Sequence, residues 1–392
     1  MKQLHSVAIL LAALIPATAS GVSISDVLQQ IAANNPTLKS LVSANAAEIS
    51  DMRADNTLPA TSIEYSPFFR SGESGVASSE LVVSQEFDFP TLYAARSRQA
   101  AMQENLLDKN ATLQQLQLLS EARASLLDLI LLEKEREILG RRLDDTATLL
   151  ASYERSLQLG SATLLEVNKV KLECQDLQRD ILQNDAARMK IADALAGLNG
   201  NLPIDLTGID YDIPTDELPE LSDIAVLMEK DATIAAADAE TEAARHGTSL
   251  AKSGWLPSLT LGYRRNTEGK EAANGFIIGA ALPIFSNSGK VKAAKARLNA
   301  AQMQAATTRA EAETRLRSDM QQMAFDKAAL ATYDLTLMEE TLRLYRKSLD
   351  AGQITLTDYY TETSGLYDRI LTSVRLENNL QQSYARIISL IN

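Results

Sequence analysis

The chain has a single cysteine, Cys174, so no intrachain disulfide can form. Histidine is nearly missing. Only His5 and His246 occur, and His246 lies in an Ala-Arg-His-Gly stretch of helical character with no nucleophile motif beside it. A Ser-His or Cys-His hydrolase therefore has no visible site, and no catalytic residue is assigned. There is no histidine cluster, cysteine pair or acidic calcium-loop pattern, so neither a metal site nor a cofactor is implied. Basic charge is in the minority: 38 Lys and Arg stand against 51 Asp and Glu, a net charge of −13. Nucleic-acid binding wants a basic face and is not expected. Aromatic residues are only 5% of the chain, few for a large conventional globular core. Beyond the first residues, charge interrupts every apolar run, so no later segment reads as a transmembrane helix. If this chain enters a membrane, it does so as strands closed into a barrel. Proline is missing between Pro90 and Pro203 and again after Pro283.

The N-terminus carries the pattern of a secretory leader. Lys2 supplies the positive start, Val7 to Ile15 the apolar centre, and Pro16 a break. Ala17, Thr18 and Ala19 then form a small-x-small cleavage site. Residues 1–19 are read as a signal peptide and Ser20 as the first mature residue. Cys174 is far from that site, so a lipid-anchored N-terminus is not indicated; in its helical context it reads as a packing residue.

The chain also repeats itself. Tyr153, Ser156, Leu157, Gly160, Thr163 and Leu164 recur as Tyr345, Ser348, Leu349, Gly352, Thr355 and Leu356, at a constant offset of 192. Upstream, Leu58, Pro59 and Tyr65 recur as Leu256, Pro257 and Tyr263, at an offset of 198. Two matches in the same order indicate a duplication of two half-chains, 20–198 and 220–392. They are joined by a linker, 199–219, that holds Pro203, Pro214 and Pro219.

Each half reads as helix, two strands, a very long helix, a tight turn and a return helix. The first helix is expected from about Ser25 to Asp55, N-capped at Ser25 or Asp26 and kinked at Pro36. Its counterpart opens at Ser222 and Asp223 and runs to about Lys252. Strands are expected over about 61–69, 79–89, 258–264 and 276–284, from apolar and polar residues in alternation. Arg70 to Ala77 and Arg265 to Gly275 read as polar loops. Such alternation marks a membrane barrel with a wet lumen, although a half-buried soluble sheet shows it too. The long helices are expected over about 91–159 and 288–350, each about 100 Å long at 1.5 Å per residue. Lengths of that order belong to coiled coils. Leucines at heptad spacing appear only in patches that shift phase, so a simple two-stranded zipper is not indicated. Each long helix meets a glycine, Gly160 or Gly352. The return helices begin at Thr163 and Thr355, with Glu166 and Asp358 in capping-box position.

Two halves of this order behind a leader resemble the TolC family of outer-membrane efflux proteins. The likeness is carried by Gly160, Thr163 and Glu166, by Gly352, Thr355 and Asp358, and by the paired Leu-Pro starts of the strands. It spans essentially the whole mature chain. The resemblance implies a mainly α fold with a transmembrane β-barrel. A homotrimer would build an α-helical periplasmic barrel continuous with one shared 12-stranded β-barrel, four strands per protomer. It further implies an exit duct in the outer membrane of a Gram-negative bacterium, in contact with outer-membrane lipid. A periplasmic adaptor and an inner-membrane pump, of a tripartite efflux or type I secretion system, would feed it. By that resemblance Gly160, Ser161, Thr163, Gly352, Gln353 and Thr355 are the candidate adaptor contacts. Asp358, Glu362 and Glu166 are the candidate gate and lumen residues. The glycines also serve a plain helix reversal, and an acid at a helix N-terminus also complements the helix dipole. Where the family often has a second acid, three residues after Asp358, this chain has Thr361, followed by Glu362. The rival reading is a secreted structural or adhesive coiled-coil protein of the cell envelope, which leaves the duplicated strand pairs unexplained.

Overall fold

A computed structural model describes residues 22–72, 74–219, 223–269, 271–283 and 287–391. The leader expected over 1–19 lies outside the described residues. The chain is mostly helical, with one antiparallel sheet of four strands.

The helix expected from Ser25 is two helices, α1 (Ile24–Asn34) and α2 (Pro36–Ala54). Ser23, not Ser25 or Asp26, caps α1 by accepting from the Asp26 amide. Pro36 breaks the run instead of kinking it. Asn35 steps out of helical geometry, accepts from the Leu38 amide at 3.0 Å, and so starts α2 with proline at its first position. The second half breaks in the same way. Asp223 caps α5 (Ile224–Glu229), and Asp231 then starts α6 (Ala232–Ser253) by accepting from the amides of Thr233 and Ile234. Asn35 and Asp231 are both fully buried.

Strands β1 (Ser62–Phe68), β2 (Ser78–Phe87), β3 (Ser258–Glu268) and β4 (Glu271–Ala281) pair in that order, every pair antiparallel. The expected polar loop from Arg265 to Gly275 is mostly strand. Backbone pairing carries on past the apolar alternation as far as Glu268 opposite Glu271, and Gly269 turns the chain with φ +57°. β4 accordingly lies earlier than expected and ends at Ala281; Ile284 is outside the described residues. β1 and β4 form the sheet's two margins, and among the described residues neither has a partner on its outer side. One row across the sheet is Ile63, Val83, Tyr263 and Phe276; the next row on the same face includes Leu261 and Ile278. The opposite face carries Ser62, Glu64, Glu80, Ser84, Thr260 and Arg264, with Arg264 paired to Glu80 at 2.7 Å.

α3 (Pro90–Gln158) is one unbroken helix of 69 residues, about 100 Å long. α4 (Leu164–Leu198) returns along it. The linker adds one 3₁₀ turn, Thr215–Glu217. The second long helix, expected over 288–350, is α7 (Ser288–Leu330) and α8 (Leu335–Asp350). The break at 331–334 needs neither glycine nor proline: Asp334 accepts from the Leu337 amide at 2.9 Å and starts a new helix. α9 (Leu356–Ile388) closes the chain.

The helices form a wall one layer thick. α2 and α4 lie against α3, α3 against α6 and α9, and these against α7 and α8. A wall of this kind has little interior, and among the described residues its core forms four separate clusters. Two lie at mid-height. α1 drives Ile24, Val27 and Ile31 against Leu126, Ile130 and Leu195. α5 drives Leu227 against Leu316, Leu380 and Ile387. A third surrounds Ile138, Met338 and Ile370, and the fourth fills the far end. Among the described residues no helix is long and apolar enough to cross a membrane.

Candidate functional site

The end of the wall opposite the sheet consists of two hairpin tips of the same construction. At the first, α3 stops on Leu159 and Gly160 takes φ +72°. The Ser161 amide donates to the Ser156 carbonyl at 2.9 Å, and the Gly160 amide to that of Leu157 at 3.1 Å. At the second, Gly352 takes φ +67°, the Gln353 amide donates to Ser348 at 2.9 Å, and the Gly352 amide to Leu349 at 2.9 Å. Both are Schellman stops, in which a left-handed residue lets two amides fold back onto the last free carbonyls.

The return helices open with capping boxes. Thr163 accepts from the Glu166 amide at 3.2 Å, while its own amide donates to Glu166 Oε2 at 2.8 Å. Thr355 accepts from the Asp358 amide at 3.1 Å, and its amide donates to Asp358 Oδ2 at 3.2 Å. Each threonine hydroxyl also donates to the same carboxylate. Donors converging on an ionised oxygen favour the charged form. The backbone and then the side-chain bond from Thr163 hold the Glu166 carboxyl below its usual range. For Asp358 the Thr355 hydroxyl bond leads, followed by the backbone bond, and Lys169 adds a smaller attraction. Both acids therefore close their own caps, Asp358 exposed and Glu166 half-buried.

The two tips are one unit. Leu149 of α3, Val170 of α4, Leu349 of α8 and Leu356 and Tyr359 of α9 share a cluster, with Tyr153, Tyr345 and Tyr360 packed around it. Lys169 of α4 donates to Thr357 of α9 at 3.3 Å, and its ammonium lies 6.0 Å from the Tyr360 ring centre. Arg142 of α3 pairs with Glu173 at 2.6 Å and stacks 4.8 Å over Tyr367 of α9. Arg346 of α8 donates to the Asp145 carbonyl of α3 at 3.3 Å. Burial pushes the Tyr367 hydroxyl up to about 12, and that of Tyr360 also rises through burial. The sequence reading missed Lys169, Arg142 and Arg346, because their partners lie far away in the chain. Glu362 sits one turn beyond Asp358 and accepts from the Tyr345 hydroxyl at 3.4 Å. Gly160, Ser161, Thr163, Gly352, Gln353 and Thr355 thus lie together at one end, as do Glu166, Asp358 and Glu362. Among the described residues no group of acids, cysteine and histidine is arranged to hold a metal ion.

Four strands with both margins open, above a wall of long antiparallel helices ending in two matched tips, is an architecture with known counterparts. Residues 224–392 match the family model described as outer membrane efflux protein. That match lies in the second half of the chain. Solved structures extend the likeness to the whole chain. CusC, described in terms of folding and transmembrane channel formation, is 16% identical with a TM-score of 0.78, over 94% of this chain and 92% of CusC. The outer membrane protein VceC from Vibrio cholerae is 17% identical with a TM-score of 0.72, over 94% of each chain. The open state of the MtrE outer membrane channel from Neisseria gonorrhoeae is 15% identical with a TM-score of 0.75, over 94% of this chain and 88% of MtrE. At these identities the likeness is one of fold. It covers both halves of the chain, including the one outside the matched residues. The sequence matches no curated protein. The three matched structures are those of outer-membrane proteins and channels.

Proposed function

We propose that this chain is a passive exit duct of the outer-membrane efflux kind, three copies of which close one barrel in the outer membrane and one tunnel in the periplasm. The reading rests above all on the sheet. Four strands are too few to close alone, since single-chain barrels start at about eight. Their margins are unpaired, and their apolar face, with Ile63, Phe276 and Ile278, is solvent-exposed in the single chain. β1 and β4 run in opposite directions, so the β4 of one copy meets the β1 of the next antiparallel, and three copies give twelve strands. Ser62, Glu64, Glu80 and Arg264 then line a wet lumen.

At the far end the tips form the gate and the docking surface. Gly160, Ser161, Thr163, Gly352, Gln353 and Thr355 meet a periplasmic adaptor, through which an inner-membrane pump delivers cargo. Asp358, with Glu362 and Glu166 nearby, supplies an acidic constriction that favours cations. The capping role of Asp358 leaves its carboxylate charged at neutral pH, as such a ring requires. Single-channel recording of purified protein in planar bilayers tests the duct. Expected is a stable cation-selective conductance whose selectivity falls in Asp358→Ala. Unchanged selectivity removes the acidic ring, and no conductance at all removes the duct.

A further inference from the structure

The helical wall has two margins, as the sheet does, and both carry exposed apolar side chains in a matching order. One margin is α4, below α2; the other is α7 followed by α8. On α4, Leu165, Leu172, Leu182 and Met189 follow one another at intervals of seven, ten and seven residues. These are the a and d places of a heptad, the spacing of a helix seam. On the other margin Phe325, Leu337 and Leu344 stand out. All seven are 60–79% exposed in the single chain. A row of this length on a water-soluble wall marks a contact surface.

Height along the wall can be counted from the tip glycines, since both margins are helical. Leu165, Leu172, Leu182 and Met189 lie 5, 12, 22 and 29 residues from Gly160. Leu344, Leu337 and Phe325 lie 8, 15 and 27 residues from Gly352. The two series interleave: Leu344 falls between Leu165 and Leu172, Leu337 just above Leu172, and Phe325 between Leu182 and Met189. The interval left open on the second margin holds the break at 331–334, and Leu182 stands level with Leu330, the last residue of α7 just above that break. α4 rises from its tip while α7 and α8 descend towards theirs, so the margins of adjacent copies run antiparallel. The same order continues above, where Val42 of α2 and Met303 of α7 are both exposed.

We propose that these rows are the seam between copies of this chain. The α4 row of one copy interdigitates with the α7–α8 row of the next, and Leu182 packs at the end of α7, beside the break in the second long helix. The occupant is a second copy rather than another protein, because the seam continues the open sheet margins down the same two sides of the chain. This rests on the duct reading above and adds the residues and register of the contact.

Cysteine pairs test it in a Cys174→Ala background, which itself is first checked for trimers by native mass spectrometry in detergent. Leu172→Cys with Leu337→Cys, and separately Met189→Cys with Phe325→Cys, should give covalent dimers and trimers on oxidation. Leu172→Cys with Met303→Cys, at unlike heights, should give none. Leu182→Asp should reduce trimer yield several-fold. Trimers that persist while neither matched pair cross-links would overturn the seam and leave the duct standing. So would α4 cysteines that stay open to a thiol reagent in the trimer and are protected only by an added adaptor. Absence of trimers in the Cys174→Ala parent and in the unmodified chain would overturn seam and duct together.

Discussion

Asn35 and Asp231 hold the same place in the two halves: each is a buried cap that interrupts a helix beside the end of its own half's return helix. Asn35 donates to the Leu198 carbonyl at 2.8 Å. Beside Asp231, the Ala232 amide donates to the Leu390 carbonyl at 2.8 Å. Asp231 also pairs with Arg315 of α7. Removing a cap costs about 1 kcal/mol; the Arg315 side chain, 35% exposed, is hydrated once its partner is gone and adds little. Asn35→Ala and Asp231→Ala should therefore each destabilise by about 1–2 kcal/mol. The two belong to different halves, so the double variant should be close to additive. Guanidinium unfolding in detergent, followed by circular dichroism, measures all three.

The sheet offers a test on adjacent residues. Ile278 shares the apolar face with Leu261, whereas Ile277 lies opposite Gly262 on the face that carries Ser84. A lysine facing lipid at mid-depth costs about 2–4 kcal/mol, while one facing a wet lumen is tolerated. Ile278→Lys should abolish folding into vesicles, and Ile277→Lys should preserve it. Heat-modifiable mobility on gels reads the outcome. Equal behaviour of the two would mean the faces are assigned wrongly.

How far the sequence disclosed the structure follows from which signals are local. α3 was legible because a helix needs only periodicity and freedom from proline, and residues 91–158 have both. The tips were legible because Gly160, Thr163 and Glu166 act within a few residues of one another. The break before Leu335 was not, since Asp334 resembles any surface acid until its side chain is seen to cap. β3 and β4 were underestimated because Arg265 to Gly275 lacks apolar alternation, yet backbone pairing needs none. The contact of Lys169 with Thr357 spans 188 positions and leaves no periodic trace.

The tip glycines yield a third prediction. No atom lies within 4 Å of a Cβ built on Gly160 or Gly352, so space is not what requires glycine there; the positive φ is. Gly352→Val should cost about 1–2 kcal/mol locally. Trimers should remain intact, and export in cells should be lost through a misdirected tip. Antibiotic susceptibility beside trimer yield checks it. Full export in this variant would argue against adaptor docking at Gly352.

Acid should loosen the same region. The Glu166 and Asp358 carboxyls titrate below their ordinary values because the caps bind the charged form. Their contribution is complete above the unfolded values, about 4.3 and 3.9, and is lost as pH falls through the depressed folded values. Amide exchange over 163–167 and 355–359 should therefore accelerate, beyond its intrinsic pH dependence, only below about pH 4. Thr355→Ala should show fast exchange at the second tip at neutral pH already. Equal protection of the wild-type tips at pH 3 and pH 6 would refute this.

The bare outer sides of β1 and β4 govern how the protein is made. A solitary chain pushed into hydrocarbon would carry two rows of unsatisfied amides and carbonyls with it, each costing several kcal/mol. On the proposed duct, meeting sister chains therefore precedes or accompanies insertion, and the rate of maturation climbs steeply with the amount of chain.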